Sequence, residues 1–324
     1  MAGNIKEKVE QLIQDGLAHH DAGEVELARD AYLQALELEP ENAKALDLAG
    51  LLCMQCGEPV AAEEFYSSAV KIEPENSRFL LHLGILHLEQ NEFSKSEEVL
   101  RKVIELDPDH SDARLYIALG KRAQGEREDA KALLEVAEEL DGQNANYKKW
   151  LGLISLETGD LVAALEYTNR SIELDPLDVS VYSQLGAILN EMDDPDLAEK
   201  SYAAGIKVDP DDMRCRAGLA STLIKLGKLE DAKREIIEAN KNREEEHPLI
   251  LSVSALLDSF SGQKQEALGK IERVLNIESS SLDILLLAHQ LMVNLEEDEK
   301  AQEILETMQS LAPDDARVMT ALLG

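Results

Sequence analysis

The chain of 324 residues predicts an all-α solenoid of nine stacked helix pairs, and three observations carry that prediction. Alanine recurs along it at a spacing of 34. A second, glycine-rich series keeps the same spacing. The composition is 44% hydrophobic but only 4% aromatic, and Ala, Leu and Glu dominate it. These side chains lose little rotamer freedom in a helix.

Each element follows from its place in the repeat. The mid-unit series runs Ala28, Ala62, Ser96, Ala130, Ala164, Ala198 and Ala232 in steps of 34, then Ala267 after 35 and Ala301 after another 34. The first helix of each unit has a small residue at its eighth position: Gly16, Gly50, Gly84, Ala118, Gly152, Gly186, Ala220 and Ala255. His289 breaks that run. Gly23, Gly57, Gly125, Gly159, Gly227 and Gly262 stand between the two helices, where a left-handed C-cap is wanted. The second helix has Ala35, Ala69, Val103, Ala137, Ser171, Gly205 and Ala239 seven residues after the mid-unit position. Pro40, Pro74, Pro108, Pro176, Pro210 and Pro313 then end it, because proline cannot continue a helix. The small residues are expected to bring the two helices together with no large side chain between them. One pair cannot bury its apolar face alone, so neighbours stack and share a core. The first helix should begin near Ile5 and the last pair should end near Leu311.

Nine units in one register make the chain resemble the tetratricopeptide repeat family over essentially its whole length. The family implies a right-handed superhelix whose inner face is lined by the first helix of each unit. The runs Ala45–Leu52 and Phe79–Gly84 are also similar to the repeat arms of bacterial glycosyltransferases and sulfotransferases. Those glycosyltransferase arms carry an asparagine ladder along the groove, which this sequence lacks. Departures from the family pattern fall at Gly142, Glu244 and Ser279, where proline is usual, and at His289. They predict looser packing in the last third. The spacing of 35 and the charged run Lys241–His247 predict a seam between repeats 7 and 8. By this reading residues 1–243 hold repeats 1–7, and residues 244–324 hold repeats 8–9 with a short C-terminal capping helix, continuous with the first array. Val318, Met319, Leu322 and Leu323 make that last piece apolar, so it either seals the final pair or offers an edge for homo-oligomer contact.

Several function classes are disfavoured. A formal net charge of −33 repels nucleic acid and anionic membranes. No stretch approaches the ~20 apolar residues that span a bilayer. The N-terminus has no basic-then-apolar leader pattern, and three cysteines form no disulfide framework. A cytoplasmic protein is expected. Cys53 and Cys56 have CxxC spacing, but no second Cys or His pair accompanies them for zinc. His19 and His87 share a core-facing repeat position and are expected to pack. The acidic runs Glu244–Glu246 and Glu296–Glu299 lack the alternating ligands of a calcium loop. No phosphate loop or nucleophile elbow is present, so no catalytic residue, metal or cofactor is expected.

What remains is binding. In the family, the second, fifth, sixth, ninth, twelfth and thirteenth residues of a unit project into the groove. Here the sixth positions are Leu48, His82, Tyr116 and Trp150, and the ninth are Leu51, Ile85, Leu119 and Leu153. Lys149 is a fifth position. These nine residues predict a partner site for an apolar or amphipathic segment of another protein. Apolar stripes and exposed aromatics mark such surfaces. A chaperone-type carboxylate clamp is not expected, since only two of its five positions match at Lys149, Leu153, Gln184, Arg214 and Gly218. The alternatives are a docking or regulatory arm of a glycosyltransferase-type enzyme and a self-assembling scaffold. Limited proteolysis should cut near Arg243 before it cuts inside repeats 2 to 6. Protection of that bond while others are cut would remove the seam.

Overall fold

The computed structural model describes residues 2–241, 247–277 and 281–323. Among the described residues every regular element is a helix. Two compact units divide after Asp141: Met1–Asp141 and Gly142–Gly324. The division falls at Gly142, where the usual proline is missing. Unit 1 holds four helix pairs: α1 Ala2–Asp21 with α2 Val25–Leu38, α3 Ala43–Gln55 with α4 Pro59–Ile72, α5 Ser77–Glu89 with α6 Phe93–Leu106, and α7 Ser111–Ala123 with α8 Arg127–Leu140. Unit 2 begins with α9 Ala145–Glu157 and α10 Leu161–Leu174, then α11 Val179–Glu191 and α12 Pro195–Val208. It continues with α13 Met213–Lys225 and α14 Leu229–Asn240, α15 Pro248–Phe260 and α16 Lys264–Ile277, and α17 Leu282–Asn294 and α18 Asp298–Leu311. A final helix, α19, spans Ala316–Leu323. The nine expected pairs are therefore present, with the first helix starting three residues before Ile5.

The turn inside each pair has one geometry. Gly23, Gly57, Gly125, Gly159, Gly227 and Gly262 all have φ between 71° and 83°. Asn91, Asp193 and Glu296 occupy the same place in the other three pairs, with φ of 59°, 59° and 58°. The next N–H then reaches back to the first helix; Glu58 N donates to Cys53 O at 2.9 Å. The first helices are capped by a side chain on the same period: Asn42 accepts from Ala45 N, Asn76 from Arg78 N, Asn144 from Asn146 N and Asp178 from Ser180 N.

The eighth-position glycines act differently from the expectation. A large side chain does lie between the paired helices. The ring of Tyr66 rests on the backbone of Gly50, where a Cβ would stand 2.7 Å from it. Leu100 covers Gly84 and Tyr202 covers Gly186, at 2.6 and 2.5 Å from a Cβ there. The glycine is the seat of a ring, and helix separation follows from the ring's thickness. At the mid-unit position no such room exists: Ala28, Ala62, Ala130, Ala164, Ala198, Ala232 and Ala267 are fully buried. Ser96 takes the same place and donates Oγ–H to Gly84 O at 2.8 Å.

The two units build their cores differently. In unit 1 the core is a succession of separate clusters, one around Val9, Ile13, Tyr32 and Leu52, another around Cys53, Tyr66 and Leu86, a third around Leu80, Leu100 and Ile117. In unit 2 one cluster runs from Leu189 to Val318. It includes Ile236 and Ala239 of α14 and Ile250 and Leu251 of α15. The loosening expected for the last third is thus not what the core shows, because small and β-branched residues keep α13, α15 and α17 in direct contact. The expected seam and the boundary after residue 243 fall on 242–246, outside the described residues. Val318 is fully buried, so α19 seals the end of α18, while Met319 and Leu322 stay exposed. His289 is accommodated half-buried, and burial pushes its pKa down.

Glu296 is the residue least suited to its turn, since a left-handed backbone crowds any Cβ. Glu296→Gly should raise stability by about 1 kcal/mol. A urea titration that shows a lower midpoint for the variant would contradict this account of the turn.

Candidate partner-binding site

On unit 1 the inner surface is made by α3, α5 and α7. Leu51, Ile85 and Leu119 recur on it one repeat apart, and each is half-buried. Leu48 belongs elsewhere. It is 2% exposed and packs in the cluster of Val9, Ile13, Ala45 and Leu52, so it is core and not groove floor. The approach of α1 covers this sixth position, while the equivalent His82 and Tyr116 keep partial exposure.

His82 has a defined environment. Its Nδ1 lies 2.6 Å from Asp47 Oδ1, and its ring centroid is 5.6 Å from that of Tyr66. Asp47 is fully buried, and Arg78 Nη2 approaches its other oxygen at 2.9 Å. A buried carboxylate without partners is costly, and here one imidazole N–H and one guanidinium meet it. Asp47, Arg78 and His82 therefore tie α3 to α5 at the surface that Leu51 and Ile85 line. Tyr116 leans on the cluster of Leu80 and Ile117, and burial pushes its phenol pKa up.

Lys149, Trp150 and Leu153 lie on α9 of unit 2, all half-buried. Lys149 is already engaged: Nζ donates to Asp178 Oδ2 at 2.8 Å, and its carbonyl accepts from Gln184 Nε2 at 3.2 Å. Gln184 also donates to Thr168 Oγ1 at 2.9 Å. Lys149 thus braces α9 against the cap of α11.

The remaining polar groups do structural work. His87 is buried, as expected, and its Nδ1 lies 2.8 Å from Glu92 Oε2. His19 makes the same contact with Glu24 at 2.5 Å. Glu63, His87 and Glu92 bring three ligand-type atoms within 4.8 Å of one another. Lys95 Nζ already sits 2.8 and 2.9 Å from the two oxygens of Glu92, so a cation there competes with an ammonium in place. Cys53 is buried, and burial pushes its thiol pKa up, which suits a packing role. Cys56 and Cys215 are also free thiols. The sequence did not single out the buried network of Asp283, Asp315 and Arg317 near the C-terminus. The signal for it was present, since Arg317 falls at the repeat position that holds Lys44 and Arg78.

Models of a family described as tetratricopeptide repeat match residues 14–77, 54–121, 87–150 and 179–212. No curated protein matches the sequence. Among solved structures, Pseudomonas aeruginosa pilF is similar over 66% of this chain and 97% of its own, at 20% identity and a TM-score of 0.57. A chain of the APC/C hetero-tetramer Cut9–Hcn1 is similar over 83% of this chain and 52% of its own, at 18% identity and a TM-score of 0.62. At these identities the likeness is one of fold.

The Lys149–Asp178 pair gives a pH-dependent test. Burial acts to raise the Asp178 pKa, but donation from Lys149 and Ser180 outweighs it and holds the carboxyl below its usual value. A carboxyl with a depressed folded pKa stabilises above the unfolded value of about 3.9, and that contribution disappears as pH falls through the folded value. Lys149→Met should therefore cost about 1 kcal/mol at pH 7. The gap between variant and parent should close below the ordinary carboxylate range, as urea unfolding at several pH values will read.

Proposed function

Because the chain belongs to the tetratricopeptide repeat family, we propose that it is a non-catalytic scaffold whose unit 1 holds an apolar or amphipathic segment of another protein against α3, α5 and α7. One observation carries the proposal. Leu51, Ile85 and Leu119 repeat in register and stay partly exposed, whereas the neighbouring Leu48, Leu52 and Leu86 are buried. A continuous apolar strip on a solvated, strongly acidic protein is the kind of surface that partners cover. Tyr116 and His82 border the strip and supply an aromatic edge and a polar one. Asp47 and Arg78 hold His82 in place, which lowers the ordering cost of binding. Trp150 and Leu153 form a separate contact surface on unit 2 in this proposal, with Lys149 serving chiefly as a brace.

The partner is a protein. Nucleic acid is disfavoured by the charge of −33, and no helix among the described residues is long and apolar enough to cross a membrane. Three thiols outside any disulfide suit the reducing cytoplasm in which we place it.

The test separates groove from core. A partner is identified by affinity capture with the parent chain. Ile85→Asn with Leu119→Asn should then abolish its capture while the melting temperature stays within a few degrees. Leu48→Ala, in the core, should cost about 2–5 kcal/mol. A stable double variant that still captures the same partner would overturn the proposal.

A further inference from the structure

The helix α19 occupies the position of a tenth first helix, packed on α18, but it also reaches α9 at the other end of unit 2. The contact is close: a Cβ on Gly159 would lie 3.2 Å from Cβ of Ala316. The first turn of α19 is polar and buried. Asp315 is fully buried and accepts from Arg317 N at 2.9 Å, from its Nε at 3.0 Å and from its Nη2 at 2.9 Å. Arg317 Nη1 donates to Asp283 Oδ1 of α17 at 3.2 Å. Glu157, the last residue of α9 and only 3% exposed, adds a further attraction on the guanidinium. The C-terminal end of α9 carries partial negative charge, which also favours a cation there.

An end cap needs only an apolar face toward α18, and Val318 provides it. It does not need a buried arginine shared among α9, α17 and its own cap. That arrangement is specific: one guanidinium is held by a planar two-point contact to Asp315 while its remaining arm spans toward two helices. We propose that the Glu157–Gly159 end of α9, with Asp283, is a docking surface for an amphipathic helix whose first turn reads Asp-x-Arg, and that α19 is its resident occupant. The surface lies on unit 2 and does not depend on the strip of α3, α5 and α7. A partner helix of the same chemistry, acidic cap, arginine two residues on and an apolar residue next, competes with α19 for it. While α19 is seated, unit 2 is clasped from α9 to α18.

Hydrogen exchange of the full-length chain, followed by mass spectrometry, tests this. In Arg317→Ala the amides of residues 154–160 should exchange about ten-fold faster than in the parent, with α11 and α13 unchanged. A synthetic peptide with the sequence of residues 312–322 should slow that exchange again. Ala316→Leu crowds Gly159 without touching the ion pairs, and it should give the same local acceleration, which guards against a folding defect of the arginine variant. Unchanged exchange at 154–160 in both variants would overturn the proposal, as would a peptide that restores no protection. Protection that depends on protein concentration, with a doubled mass, would show a second copy's helix on the surface and overturn the intramolecular assignment.

Discussion

The structure depends on one contact made again in every pair: a side chain of the second helix seated on the first helix sixteen residues earlier. Tyr32, Tyr66 and Tyr202 meet Gly16, Gly50 and Gly186, and Leu100 meets Gly84. Where the first helix carries alanine, at Ala118, Ala220 and Ala255, the residue in register is Leu134, Ile236 or Ile271. The two positions thus trade volume, ring against bare backbone or branched aliphatic against methyl, as close packing demands. Every one of these second-helix residues is buried. With the separation of the two helices set in this way, the turn between them must reverse the chain in a few residues, and the left-handed position follows.

That dependence explains how much of the fold was legible. A contact that recurs every 34 residues leaves a periodic trace, so the number of pairs, the turn residues and the buried alanines could be read directly. The left-handed turn was legible at six glycines and hidden at Asn91, Asp193 and Glu296, because those residues are not required to be glycine, only tolerated there. The meaning of the eighth-position glycine was misjudged, since a period shows that a small residue is needed and not what fills the space above it.

The candidate site was legible only in part, for a related reason. Repeat position was taken to fix environment, which holds for Leu51, Ile85 and Leu119 and fails for Leu48. The helix α1 covers Leu48, and nothing in its own repeat announces that. Charged pairs between repeats were equally hard to foresee. Asp47 and Arg78, or Lys149 and Asp178, lie near one repeat length apart and are chosen pair by pair, with no period to betray them. The same holds for Arg317 and Asp283.

The difference between the two cores bears on cooperativity. Unit 1 is a string of local clusters, each joining one pair to the next, and such a chain obeys nearest-neighbour rules. Its terminal pairs can melt while inner ones persist, and a defect is felt mainly by its immediate neighbours. Unit 2 shares a single cluster from Leu189 to Val318, so losing any part exposes the rest, and its unfolding tends toward all-or-none. One polypeptide with one repeated sequence motif therefore contains two kinds of thermodynamic unit, and a single melting midpoint describes neither.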